Sequence, residues 1–121
     1  VSAASFDSNI LIDALKNREE AWHALEQVDD RWISRVTWIE VMSKVDQRNA
    51  AATRAMVDSF YLDEMTPVIA ERAAALRNAR RLGLPDAVIL ASAQVNGRIL
   101  ITRNTKAFPA DMPGIRVPYT L

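Results

Sequence analysis

The stretch from Leu84 to Ile101 constrains the fold more than any other part of the chain. Pro85 opens a helical segment that stays apolar on nearly every side through Val95 and stops at Gly97. A helix without a polar face has to be covered all round, and glycine is favoured just past a helix end. The strand that follows, Arg98–Ile101, shows no polar alternation after its first residue, as expected of a strand covered on both faces. Such a helix and strand belong inside a layered α/β fold.

The rest of the chain fits that frame. Ala3–Phe6 is a short strand ending at Asp7, and Ile10, Leu11, Ala14 and Leu15 then share one helical face, with Ser8 and Asn9 at cap positions. A second helix is expected over about Glu19–Val28, a strand over Arg31–Ser34, and a helix carrying Glu40 from about Val36 to Val45. Thr53, Met56, Val57, Phe60 and Tyr61 mark an amphipathic helix. A brief strand near Met65 precedes a helix from Pro67 to about Leu82, which Gly83 is expected to end, and Ile115–Val117 is the last strand. Strands separated by helices imply parallel neighbours. The expected architecture is a three-layer α/β/α sandwich around a mostly parallel five-stranded sheet, in a single domain over residues 1–121. Ligands of such sheets collect beyond the carboxyl ends of the strands. Asp7 and Thr102-Arg103-Asn104 follow two strands directly, and Glu40 lies a helical turn beyond a third.

Composition narrows the chemistry. There is no cysteine, which excludes disulfides and thiolate metal sites. Fifteen basic residues balance fifteen acidic ones, so the broad positive grip of a simple nucleic-acid binder is missing. An enzyme that attracts phosphate through bound cations is still allowed. No apolar run approaches a membrane span and no leader-like segment opens the chain, so a soluble, cytoplasmic protein is expected.

Three acids stand out. Asp7 sits at a strand-to-helix corner, where a helix cap is an equally good reading. Glu40 is surrounded by Trp38, Ile39, Val41 and Met42, so it lies either at the solvated edge of a helix or near a cation. Asp86 opens the apolar helix, where it would also favour the helix dipole. Taken together, clustered carboxylates repel one another unless cations neutralise them. Oxygen-only ligands suit Mg2+ or Mn2+ rather than zinc. With His23 as the only histidine, chemistry resting on paired imidazoles is disfavoured, and His23 is taken as structural.

These residues carry a family resemblance. Phe6-Asp7-Ser8-Asn9-Ile10-Leu11-Ile12-Asp13 resembles the opening motif of PIN domains, and Ser34-Arg35-Val36-Thr37-Trp38-Ile39-Glu40 resembles the second. Leu84-Pro85-Asp86-Ala87-Val88-Ile89 is similar to the third, and Ile101-Thr102-Arg103-Asn104-Thr105-Lys106-Ala107-Phe108 to the fourth. The short length points to VapC-like toxins of bacterial toxin–antitoxin pairs. The resemblance implies a Mg2+- or Mn2+-dependent endoribonuclease, commonly homodimeric and inhibited by a cognate antitoxin. It makes Asp7, Glu40 and Asp86 the metal ligands and adds Asn104 to the catalytic set. Asn104 falls where many relatives have a fourth acid, and Ala107 where related toxins carry Asp. These departures leave the second cation position open.

Ser8, Asn9 and Thr102 could orient the acids from behind, Thr37 could do so for Glu40, and Arg103 is placed to contact RNA phosphate. Arg77, Arg80 and Arg81 are expected to serve the helix dipole, and Asp111 to be a solvated loop residue. Trp22, Trp32 and Trp38 are expected to pack, with Trp38 and Met42 as alternatives for a dimer interface. A phosphoacceptor receiver would need paired acids after the first strand, a phosphorylatable Asp after the third and a Lys near the last, whereas Asp7 has no adjacent acid, Met65-Thr66-Pro67 supplies none and no Lys precedes Val117-Pro118. A catalytically inactive PIN-like binding module draws its support from Asn104 and Ala107.

Overall fold

The computed structural model describes residues 1–121. Five strands form one sheet: β1 (Ala3–Phe6), β2 (Asp30–Ser34), β3 (Tyr61–Asp63), β4 (Ile99–Ile101) and β5 (Ile115–Arg116). Their order is β3-β2-β1-β4-β5, and every neighbouring pair is parallel. Six helices connect them: α1 (Ser8–Leu15), α2 (Glu19–Glu26), α3 (Arg35–Met42), α4 (Ala50–Asp58), α5 (Pro67–Arg80) and α6 (Leu84–Val95).

Side chains alternate across a strand, and here the alternation divides the core in two. Ala4, Phe6, Ile33 and Ile101 point to one face and pack with Ile10, Leu11, Leu25, Met56 and Val57 of α1, α2 and α4. Leu100 points to the other and packs with Ile69, Leu76, Val88, Ile89 and Phe108, chiefly from α5 and α6. The result is the three-layer sandwich. Burying each large side chain fully contributes roughly 1.5–3 kcal/mol, so Phe6 on one face and Phe108 on the other are principal anchors.

Strand order fixes where a site can form. The chain builds β1, β2 and β3 outward on one side, then returns to place β4 and β5 on the other. The reversal lies between β1 and β4, where a crevice opens at the carboxyl ends. Asp7 leaves β1 and Thr102 leaves β4 on either side of it.

Several boundaries differ from the sequence expectation. The helix expected to include Phe60 and Tyr61 ends at Asp58, and Ser59 closes it by donating its hydroxyl to the Met56 carbonyl at 2.6 Å. Phe60 is buried from the turn, which extended the apolar period beyond the true helix. The strand expected near Met65 is β3, where Tyr61 lies against Trp32 across the sheet with ring centroids 5.0 Å apart. The helix around Glu40 stops at Met42 rather than Val45. Gly83 does not end α5. Arg81 takes the left-handed conformation there at φ 56°, and Gly83 instead caps the start of α6. Gly97 does close α6: its N–H reaches Gln94 and the Arg98 N–H reaches Ala93, a paired C-terminal cap that requires its positive φ.

Candidate active site

Asp7 lies at the end of β1 as the N-cap of α1, and it is buried, with 3% of its surface exposed. Its backbone N–H bonds to the Ile101 carbonyl at 3.0 Å, which ties it to the end of β4. Its side chain accepts three hydrogen bonds: from the Ser8 N–H at 2.8 Å, the Asn9 amide at 3.1 Å and the Thr102 hydroxyl at 2.7 Å. Burial raises the Asp7 carboxyl above its usual range, and these donors reduce that effect without cancelling it. Three of the four residues expected to orient the acids are therefore grouped around Asp7.

Glu40 of α3 and Asp86 in the first turn of α6 are half-buried and lie in the same electrostatic field. Burial raises Glu40, the Ser8 hydroxyl opposes this, and the charges of Asp7 and Asp86 raise it further. Asp86 is raised by burial and then by the Asp7 charge. The fold thus brings these three acids, far apart in sequence, within mutual repulsion. No three acidic or imidazole groups stand close enough together to hold a metal ion.

The contrast with other buried acids is informative. Asp13 is paired with Arg103 and Asp63 with Arg98, whereas Asp7, Glu40 and Asp86 have no salt-bridge partner. An uncompensated buried carboxylate costs several kcal/mol, and a set of oxygen donors with net negative charge suits a hard divalent cation. Three carboxylates are the oxygen-donor chemistry that Mg2+ or Mn2+ takes, but their side chains do not converge on one point. None of the molecule's concavities is lined by the three acids, and the largest, about 550 Å3, lies between α2 and Tyr119.

The remaining residues divide. Asn104 borders the centre, with its N–H donating to the Thr102 hydroxyl at 3.0 Å, while its side-chain oxygen accepts from the Ala107 N–H at 3.3 Å. Thr37 does not serve Glu40: it is fully buried and its hydroxyl pairs with Ser34, the N-cap of α3. Arg103 is committed to Asp13, at 2.7 and 3.0 Å, rather than offered to a ligand. His23 is exposed on α2 and lines the separate concavity beside Tyr119. The Trp38 ring centroid lies 5.0 Å from the Arg35 guanidinium and 5.6 Å from that of Arg54, and Trp38 and Met42 are partly buried against the core.

A family model matches residues 5–110: the PIN domain. The chain belongs to the PIN-domain family. Among solved structures, this PIN domain is similar to a toxin–antitoxin complex from Klebsiella pneumoniae, with 45% identity over 98% of this chain and 99% of that one and a TM-score of 0.91. It shares its fold with DNA-bound VapBC from Salmonella typhimurium, at 23% identity over 99% and 98% of the two chains and a TM-score of 0.80. The same holds for VapBC2 from Rickettsia felis bound to a promoter DNA fragment, at 18% identity over 98% of each chain and a TM-score of 0.77. Among curated proteins, none matches. No helix of this PIN domain is long and apolar enough to cross a membrane.

Two pairings of the PIN domain escaped the sequence reading, Asp13 with Arg103 and Tyr119, and Asp63 with Arg98. Asp13 lies four residues after Asn9, so both face Arg103 from α1. That spacing was the one available signal, and it needed the register of a strand ninety residues away.

Proposed function

We propose that this chain is the toxin of a toxin–antitoxin pair, a Mg2+- or Mn2+-dependent endoribonuclease acting in the cytoplasm through one nuclease domain over residues 1–121. The observation that carries the reading is Asp7, a buried carboxylate without a basic partner in a chain whose other deeply buried acids each hold an arginine. Similarity to a toxin–antitoxin complex over nearly the whole chain supports it.

In this reading Asp7, Glu40 and Asp86 hold the cation. Ser8, Asn9 and Thr102 fix the direction of Asp7, and Asn104 shapes the loop at the rim. A divalent ion bound by these acids would neutralise their charge and supply the activation of water for hydrolysis of an RNA phosphodiester to 5′-phosphate and 3′-hydroxyl ends. Arg80 and Lys106 line a concavity of about 340 Å3 beside Ala107, and neither makes an ion pair. In this reading they hold flanking phosphates. Exposed Met65 and Val68 at the start of α5 offer apolar surface to a second copy, and the antitoxin is the expected inhibitor.

Two measurements test this. RNA incubated with native protein and Mn2+ should be cut, and a chelator should stop cleavage. Well-folded protein giving no metal-dependent product would favour the inactive binding module. For the basic concavity, an Arg80→Ala, Lys106→Ala double variant should weaken single-stranded RNA binding at every sequence tested. Each phosphate contact contributes about 0.7 to the slope of log affinity against log salt, so the slope should fall by about 1.4. An unchanged slope would remove these residues from the RNA path.

A further inference from the structure

Tyr119 follows β5, and its phenol donates to Asp13 Oδ2 at 2.7 Å. The carboxylate it meets is buried, with 3% of Asp13 exposed, and also receives Arg103 Nε at 2.7 Å and Nη2 at 3.0 Å. Arg103 stands between Thr102 and Asn104, the two residues that run past the acid centre. Its backbone N–H donates to Asn9 Oδ1 at 3.0 Å, and the amide of the same Asn9 donates to Asp7 Oδ2 at 3.1 Å. Thr102 completes the circuit with its hydroxyl on that oxygen at 2.7 Å. A series of hydrogen bonds, passing through the backbone N–H of Arg103, therefore joins Tyr119 to Asp7. Asn9 and Asp13 are four apart on α1 and stack on one face, so Arg103 is gripped at its backbone and at its guanidinium by a single helix.

We propose that Tyr119 is a positioning residue for the acid centre: through Asp13 and Arg103 it locks the Thr102–Asn104 loop and so sets the direction of Asp7. The proposal rests on the reading of Asp7 as a metal-holding carboxylate. Two physical points favour positioning over simple anchoring. The lock grips Arg103 at its backbone and at its guanidinium, and Arg103 directly follows Thr102, one of the three Asp7 donors. Burial and the Asp13 carboxylate also keep the Tyr119 phenol protonated well beyond its usual range, so it is a permanent donor. Donors that orient a metal-holding carboxylate typically account for 10–100-fold in metal affinity or activity, and one link further out should count for less.

Tyr119→Phe keeps the ring, which packs against the β1 face of the core, and deletes one hydroxyl. At a temperature where both proteins are fully folded, amide exchange at Arg103 and Asn104 should quicken by about tenfold or more. Mn2+ binding by calorimetry should weaken by roughly 3–10-fold, and kcat should fall similarly with KM for RNA unchanged. Arg103→Lys, which keeps the charge and one contact, should retain more Mn2+ affinity than Arg103→Ala. A Tyr119→Phe protein with native exchange, native Mn2+ affinity and only a lower melting temperature would overturn the proposal and leave Tyr119 as an anchor. Native protein that binds no Mn2+ and cuts no RNA would instead defeat the nuclease reading, and the exchange rates would still decide whether the lock exists.

Discussion

Asp7→Asn is expected to abolish metal-dependent cleavage and, without metal, to melt several degrees above the native protein. The loss follows from removing the central ligand of the proposed centre. Charge stabilisation by a bound cation is worth several kcal/mol, which corresponds to roughly 1,000-fold or more in rate. The gain in stability follows from the raised Asp7 carboxyl, for which burial is the largest cause. A carboxylic acid raised on folding stabilises the fold at pH below its ordinary 3.8. That contribution is lost as pH climbs through the raised value. At neutral pH the ionised Asp7 is therefore a net cost, and Asn carries no such charge. Asn would face the donors from Ser8, Asn9 and Thr102 with one acceptor fewer, but the protonated acid faces the same rearrangement. The advantage of the variant should thus vanish in acid and grow toward neutral pH. Saturating Mn2+ should reverse the order, because binding to the native state alone raises native stability. Thermal melts across pH, with and without Mn2+, check both signs. A variant less stable than native protein at neutral pH without metal would mean that Asp7 is not held against its burial.

The same residue shows what a sequence can and cannot disclose. The layers were legible because they depend on local periodicity: α6 is apolar all round, β4 lacks alternation, and caps mark the helix starts. The places of Asp7 and Asp86 along the chain were legible for the same reason, since each stands at the start of a helix, and Glu40 stood out as an acid in an otherwise apolar stretch of α3. Their electrostatic coupling depends on strand order, which periodicity does not encode. Arg103 looked available because its partner Asp13 is ninety residues away, and Asp13 in turn looked like an ordinary helix residue. Thr37 lies one turn before Glu40, but a hydroxyl in the first turn of a helix is claimed by the cap, here Ser34. The α5 terminus misled because a glycine two residues later is the better left-handed residue by intrinsic preference. Arg77 holds Arg81 there instead, with its carbonyl accepting the Arg81 N–H and its side chain donating to the Leu82 carbonyl.

Asp63→Ala is expected to destabilise the protein by about 3–5 kcal/mol, the usual cost of stranding one member of a buried ion pair. Asp63 and Arg98 have side chains only 7% and 11% exposed. Arg98 reaches across the sheet under Trp32, its guanidinium 4.1 Å from the ring centroid, with Nε on the Ser5 hydroxyl at 3.2 Å. Alanine at 63 would leave this charge with one neutral acceptor and no route to water. The exposed Arg54–Asp58 pair, at 60% and 56%, gives the control: removing Asp58 should cost only about 0.3–0.5 kcal/mol. Urea unfolding measures both. With a slope of roughly 1–3 kcal/mol per molar, Asp63→Ala should lower the midpoint by at least about 1 M, and Asp58→Ala should barely move it. An Asp63→Leu, Arg98→Met double variant separates the two contributions, since it removes both charges and fills the space. Recovery of most of the loss would show that the pair specifies the placement of β3 and β4 on either side of β2 and β1 rather than supplying net stability. A small cost for Asp63→Ala alone would mean that Arg98 finds solvent easily, and that the polar half of the sheet beneath Trp32 is open rather than closed.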